Sequence, residues 1–480
     1  MRKKHISMAL GIVLTASFFS GCSGKLTDPR HPLSLTVWHY YNGSQQEAFQ
    51  GLVEEFNNTV GKDMGIHVQC MSKGSVSELE QAVQDSLEGK VGADEVPDMF
   101  SAYADTAYLI EQQGKLANIS DYVTEKELAE YVDSYIREGY IAEDGGLRIF
   151  PVAKSTEVLM INQTDWQTFA DETGASIDGF STLEGIVDLA EEYYNWTDAL
   201  TPDIEGDGKA LYGRDSMANY FVIGMRQQGT EIFQVEDGKV TVNDDKEKIR
   251  RLWDNYYVPY IKGYFASYGS FRSDDVKTGD LLAYTGSTAS AMYFPEEIET
   301  SGGSVPITYS VMSAPILEGG DSFAIQQGAG IVVTKSEKAR EYASVEFLKW
   351  MTQAGPNIRF GCEAGYLPVK KDAVTREKLD DVIQDNQVQV SDKIYACLSN
   401  VLDNTEKMEL YACQSFGGAS EARKILEYSL SDKAAEDREQ VLKALESGSS
   451  LEEACQPFLT DDTFDVWYES FDHGLKEAVQ

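Results

Sequence analysis

The sequence predicts an α/β fold. Short runs that alternate apolar and polar residues recur between longer stretches with an apolar residue at every third or fourth position. The chain has 480 residues, 42% of them apolar, enough for two or more layered units. Strands alternating with amphipathic helices imply mostly parallel sheets covered by helices on both faces.

Before the first strand, Met1-Arg2-Lys3-Lys4-His5 precedes an apolar run from Ile6 to Phe19 and then Ser20-Gly21-Cys22. A basic start, an apolar stretch too short to span a bilayer and small residues before the break describe a secretory signal over residues 1–21. Phe19-Ser20-Gly21-Cys22 resembles the lipobox of bacterial lipoproteins, which implies that Cys22 becomes the acylated first residue of the mature chain. A diacyl group holds a protein at a membrane where one chain does not. Residues 22–32, short, polar and proline-containing, would be the lipidated tether. No later apolar run is long enough to cross a bilayer, so the expected location is extracytoplasmic, lipid-anchored to the bacterial cell membrane.

Leu33, Leu35 and Val37 alternate with Ser34, Thr36 and Trp38 as a strand with one apolar face. Ser44 with Glu47 reads as a capping box for a helix whose Phe49, Leu52, Val53 and Phe56 fall on one stripe. Residues 66–71 form the next strand, and Ser77 with Glu80 caps a helix carrying Leu79, Val83 and Leu87. Gly330 to Thr334 reads as a short buried strand, with Ser336 opening a helix through Ala339, Tyr342, Ala343, Phe347 and Trp350.

Composition removes several function classes. Lys and Arg total 41 against 79 Asp and Glu, a formal charge of -38, which excludes nucleic acid as a partner held by bulk electrostatics. Beyond Cys22, the cysteines Cys70, Cys362, Cys397, Cys413 and Cys455 have no CxxC spacing and describe no metal site; they read as thiols or as a pairing such as Cys397 with Cys413. With five histidines and no HExxH, zinc catalysis is not indicated. Asp203 to Gly208 begins like a calcium loop, but the twelfth position is Arg214 where a bidentate acid is required, so it reads as a polar loop. Without a GxSxG elbow or a P-loop, no cofactor and no metal are expected.

Val37-Trp38-His39, Phe150-Pro151-Val152-Ala153-Lys154-Ser155-Thr156-Glu157-Val158-Leu159, Gln327-Gly328-Ala329-Gly330 and Gly365-Tyr366-Leu367-Pro368-Val369-Lys370 together resemble the extracellular solute-binding proteins of bacterial ABC importers. Within them the likeness is to the oligosaccharide and glycerol 3-phosphate binding group. The resemblance covers nearly the whole mature chain. It implies a two-lobed periplasmic-binding-protein-like fold with a hinge and an interlobe cleft. The chain would cross between lobes near Phe150–Thr156, Met312–Leu317 and Gly365–Lys370. Lobe one would then take residues 33–152 and 317–367, and lobe two residues 153–316 and 368–480.

A cleft that grips a polar solute needs aromatic faces together with amides, hydroxyls and carboxylates. Tyr40 and Tyr41 follow the first strand at its carboxyl end, where open α/β sheets place ligands, and Trp38 is adjacent. Other aromatics cluster at 193–196, 253–257 and 293–294; for each of these, packing in a core is the alternative reading. Position by position, the resemblance to the glycerol 3-phosphate group makes Ser155, Ser287, Gly328 and Tyr366 ligand-binding and puts Arg423 where that group has its phosphate-binding arginine. A guanidinium suits that role because it grips phosphate bidentately. Two positions depart from the group: its aromatic after the second strand is Val76 here, and its acidic residue near Tyr103 is displaced to Asp105, with Ala104 in the aligned place.

The resulting expectation is a non-catalytic substrate-binding lipoprotein. It captures a carbohydrate, an oligosaccharide or related polyol, and as a monomer delivers it to the ABC permease membrane subunits. The alternatives are a binding protein for glycerol 3-phosphate or a glycerophosphodiester, and a secreted carbohydrate-active enzyme.

Overall fold

The opening strand forms where the alternation places it. In the computed structural model Leu33–His39 buries Leu35 and Val37, and the helix Gly43–Asn58 that follows lays Phe49, Leu52, Val53 and Phe56 on the same core. The structure describes residues 26–480 except 205, 237, 238, 301 and 406. The segment 1–21 expected to be a signal, Cys22 with its expected acylation and the first part of the expected tether lie outside the described residues.

One sheet has five strands in the order Ile66–Ser72, Leu33–His39, Met99–Ala102, Gly330–Val333, Ile149–Phe150. Its first three strands are parallel, and Gly330–Val333 runs antiparallel to both neighbours. A second sheet of four strands has the order Tyr309–Ser313, Glu157–Asn162, Leu281–Ser287, Ala210–Arg214. Only its last pairing is parallel. The sheets are therefore mixed where mostly parallel ones were expected. Strands returning from the other lobe enter against the local direction, a connection that strand and helix periodicity does not encode.

Each sheet carries its own core. The first packs between the helices Gly43–Asn58 and Lys338–Met351 on one side and Val76–Leu87 with Ala104–Glu111 on the other. The second is buried under Leu183–Asp198, Lys246–Lys262, Ala419–Glu446 and Asp461–Ala478. The aromatics Tyr193, Tyr194, Trp253, Tyr256, Tyr257 and Phe294 are all buried in cores, whereas Tyr293 is exposed. The helix Ala354–Ala364 is shared: Phe360 and Ala364 face the first core, Ile358 and Cys362 that of the second sheet's outer face.

Helix starts differ in detail from the capping motifs. Gly43–Asn58 has Asn42 at its N-cap with no side-chain bond, so Ser44 lies inside the first turn. The box ahead of Val76–Leu87 is made by Ser75 with Glu78, two residues earlier than the Ser77–Glu80 pair, which frees Glu80 for another role. Lys338–Met351 begins after Glu337 rather than at Ser336. All five described cysteines are free thiols. Among the described residues no helix is long and apolar enough to cross a membrane.

Candidate functional site

The lobes are joined where separate stretches of chain lie side by side. Ser155 and Gln327 exchange backbone hydrogen bonds at 3.0 and 2.9 Å, and the Lys154 amide donates to the Leu367 carbonyl at 3.1 Å. Lys154 itself is buried. Its Nζ donates to Glu138 Oε2 at 2.7 Å and to the Gly328 carbonyl at 2.8 Å. A buried ion pair of this kind resists the loss of either partner, because the remaining charge would be left in a medium that cannot solvate it. Gly328 sits at φ +92°, and a Cβ there would lie 2.7 Å from the Ala153 carbonyl oxygen. The crossing therefore accepts only glycine at this position.

Beside this junction lies a cavity of about 420 Å³ whose walls come from both lobes. On the first lobe, Tyr103, Ala104 and Asp105 follow the strand Met99–Ala102 at its carboxyl end; Val76 and Glu80 come from the helix Val76–Leu87 that precedes that strand, and Glu138 from the loop beyond Asp133–Arg137. On the second lobe, Asn219 and Val222 come from Met217–Gln227, and Ala419, Arg423 and Leu426 from the first two turns of Ala419–Glu446. Phe233, the segment Ile325–Gly328 and the stretch from Ala412 to Phe416 close the remainder.

Of the residues singled out in the sequence, the cavity brings together Asp105, Gly328 and Arg423, along with the departing positions Val76 and Ala104. Tyr40 stands just behind: its ring stacks on Tyr103 at 6.2 Å and 17°, and its hydroxyl meets those of Tyr103 and Tyr366. Tyr366 lies flat on Phe360, at 5.8 Å and 6°, and Tyr41 packs edge-on to Tyr366; both are buried in the first core. Burial raises the hydroxyl pKa of Tyr40, Tyr103 and Tyr366, with Arg423 drawing Tyr103 back, so all three act as neutral donors and acceptors. Trp38 is buried against Leu79 and Val83, with the Lys73 ammonium 3.8 Å from its ring centroid. Ser155 is buried in the crossing, and Ser287 accepts from the Ala289 amide at 3.3 Å to cap the turn Thr288–Tyr293. These three do not line the cavity. Away from the cavity the lobes touch directly, Gln45 Nε2 donating to the Ala289 carbonyl across the seam and to the Ala364 carbonyl of its own lobe.

Arg423 is exposed to the cavity and is oriented from beneath. Its Nη2 donates to Asn219 Oδ1 at 3.2 Å, while Asn219 Nδ2 donates to Glu157 Oε1 at 2.9 Å. Glu157 in turn is held by Arg214 at 2.8 Å, so its charge is already balanced. The Glu427 carboxylate, one turn along from Arg423, accepts from the Met217 and Ala218 amides at 3.1 and 2.9 Å and fixes the helix that carries Asn219. Glu80 accepts from the Thr106 hydroxyl; burial, and then the neighbouring Asp105, raise its pKa, opposed by that hydrogen bond and by Lys424.

Glu80, Glu138, Asn219, Gln326 and Gln327 carry no mark in the sequence as cavity residues. Glu80 reads as a cap, and Glu138 stands in an unremarkable acidic stretch. Gln327 alone had a usable signal, standing immediately before Gly328 in the motif.

A family model of bacterial extracellular solute-binding proteins matches residues 51–389. Against curated proteins, no relative matches the chain. Among solved structures, the cyclic alpha-maltosyl-1,6-maltose binding protein from Arthrobacter globiformis is 16% identical, with a TM-score of 0.63 over 93% of this chain and 100% of that one. UgpB from Mycobacterium tuberculosis, in complex with glycerophosphocholine, is 17% identical with a TM-score of 0.64 over 93% and 100%. An ABC substrate-binding protein from Listeria monocytogenes, in complex with cycloalternan, is 15% identical with a TM-score of 0.58 over 92% and 99%. At these identities the likeness establishes the fold, that of two-lobed periplasmic binding proteins.

Proposed function

The chain belongs to the bacterial extracellular solute-binding proteins, and on that premise we propose that its interlobe cavity captures a short carbohydrate for delivery to an ABC permease. The observation that carries this reading is the chemistry of the cavity wall. Carboxylates at Glu80, Asp105 and Glu138, amides at Asn219, Gln326 and Gln327 and the Tyr103 ring supply acceptors and a flat face, and Arg423 supplies donors opposite. Hydroxyls both donate and accept, so a polyol satisfies both walls at once. Similarity to a cyclic alpha-maltosyl-1,6-maltose binding protein and to a protein solved with cycloalternan supports the same class.

A glycerophosphodiester is the second reading. Arg423, whose one hydrogen bond among the described residues is to neutral Asn219, favours it, as does similarity to a protein solved with glycerophosphocholine. Glu80 and Asp105, which form no ion pair among the described residues, oppose it, since a phosphate would share the cavity with them. Thermal-shift and calorimetric screening against both classes separates the readings. A saccharide at a hundredfold excess over its dissociation constant should stabilise the protein by about 2.7 kcal/mol and be recovered unchanged. Binding of phosphodiesters alone would reverse the assignment, and saccharide turnover lost on changing the cavity carboxylates would make the protein an enzyme.

Acylation at Cys22 completes the reading, because a tethered receptor stays beside its permease. In cells, Cys22→Ser should leave the membrane fraction or accumulate as uncleaved precursor; continued anchoring of a processed chain would refute the lipid attachment.

A further inference from the structure

The ionic partners of the cavity are unequal. Glu138 is neutralised by Lys154, and Glu157 beneath Asn219 by Arg214. Glu80 and Asp105 are not: among the described residues Glu80 accepts from the Thr106 hydroxyl, Asp105 from the Thr106 amide, and neither forms an ion pair. Lys424 acts on Glu80 without forming an ion pair with it and is itself paired with Glu421. Two carboxylates thus share one wall, and Asp105 raises the cost of charge on Glu80.

A second feature points the same way. Gln326 lines the cavity at 6% exposure and its Nε2 donates to Glu138, while its Oε1 is buried and has no partner among the described residues. A buried acceptor without a donor is costly, and a ligand donor would relieve it. The first-lobe wall is therefore acceptor-rich and negatively charged beyond what hydroxyls alone would require.

We infer that the captured saccharide carries a protonated amine, which Glu80 and Asp105 neutralise while Gln326 Oε1 accepts from one of its hydroxyls. The inference rests on the carbohydrate reading above and narrows it to amino sugars. An ammonium brings donors together with the charge that the wall lacks, whereas Arg423 on the facing wall donates to the remaining hydroxyls.

Titration calorimetry tests this with short glucosamine oligosaccharides, their N-acetylated forms and the glucose forms, matched in length and linkage. The measurements are made at a pH where the amine is protonated and the carboxylates ionised. The glucosamine series should bind about tenfold tighter than either neutral series. In the Glu80→Gln, Asp105→Asn double variant that ratio should fall to near one, and in the unaltered protein it should shrink as salt is added. Neutral series binding as tightly as the amine series would overturn the inference and leave the carbohydrate reading standing. A preference that survives both the double variant and salt would also overturn it, by placing the amine elsewhere. If no series binds, the carbohydrate reading fails and the inference with it. Because the salt series uses the unaltered protein, a variant that does not fold still leaves a decisive measurement.

Discussion

His39 shows how a single side chain on the first strand ties the site region to pH. It is 1% exposed, its Nδ1 accepts the Tyr41 amide at 3.2 Å, and its ring meets Phe49 and Tyr41 at 4.8 and 5.2 Å. Burial lowers its pKa from 6.5 to about 4, since an imidazolium would lose its hydration there and its only bond is one it accepts. Between those values the unfolded chain binds the proton and the folded chain does not. Stability from this residue is thus present above pH 6.5 and is lost as pH falls toward about 4. The loss amounts to at most about 3 kcal/mol. His39→Asn keeps an acceptor near the Nδ1 position and removes the titration. Denaturant unfolding of both proteins across that range should show the unaltered chain losing stability relative to the variant on acidification. Parallel profiles would mean that His39 is not the titrating group.

At the scale of elements, periodicity located the strands and helices because burial of one face is a local property of sequence. The stripe Phe49, Leu52, Val53, Phe56 and the strand Gly330–Val333 both stand where the pattern puts them. Capping was less legible. Ser44 and Ser77 have the right chemistry three residues before a Glu, yet Asn42 and Ser75 take the N-cap positions, because the start of each helix is set by where the preceding strand delivers the chain. Within the cavity, Gly328 and Arg423 were reachable through motifs with fixed backbone demands. Glu80, Glu138 and Asn219 were not, since each is brought to the cavity by packing between elements far apart in sequence. Tyr40 and Tyr366 lie between these cases: one was readable from its place after the first strand and the other from its motif, and their depth behind Tyr103 was not.

Across the whole molecule, function depends on whether the two lobes move about the junction that Ser155, Gln327, Lys154 and Leu367 form. Short paired segments can absorb rotation with little loss of core contact, which is how hinged domains close. Ligand can shift that equilibrium only through contacts stronger in the closed state than in the open one. On the proposed reading those contacts come from opposite walls of the cavity, which Glu80 and Asp105 line on one lobe and Arg423 on the other, so neither wall alone would hold a ligand as tightly as both together. Small-angle X-ray scattering should accordingly record a smaller radius of gyration with a saturating saccharide than without it. Gly328→Ala should oppose that change. Its Cβ would press on the Ala153 carbonyl in the left-handed region, costing about 1–3 kcal/mol and weakening ligand binding through the junction rather than through a lost contact. If the radius is the same with and without ligand while binding is saturated, the cavity is preformed. Recognition then proceeds without hinge closure, and the permease must read the ligand-bound surface directly.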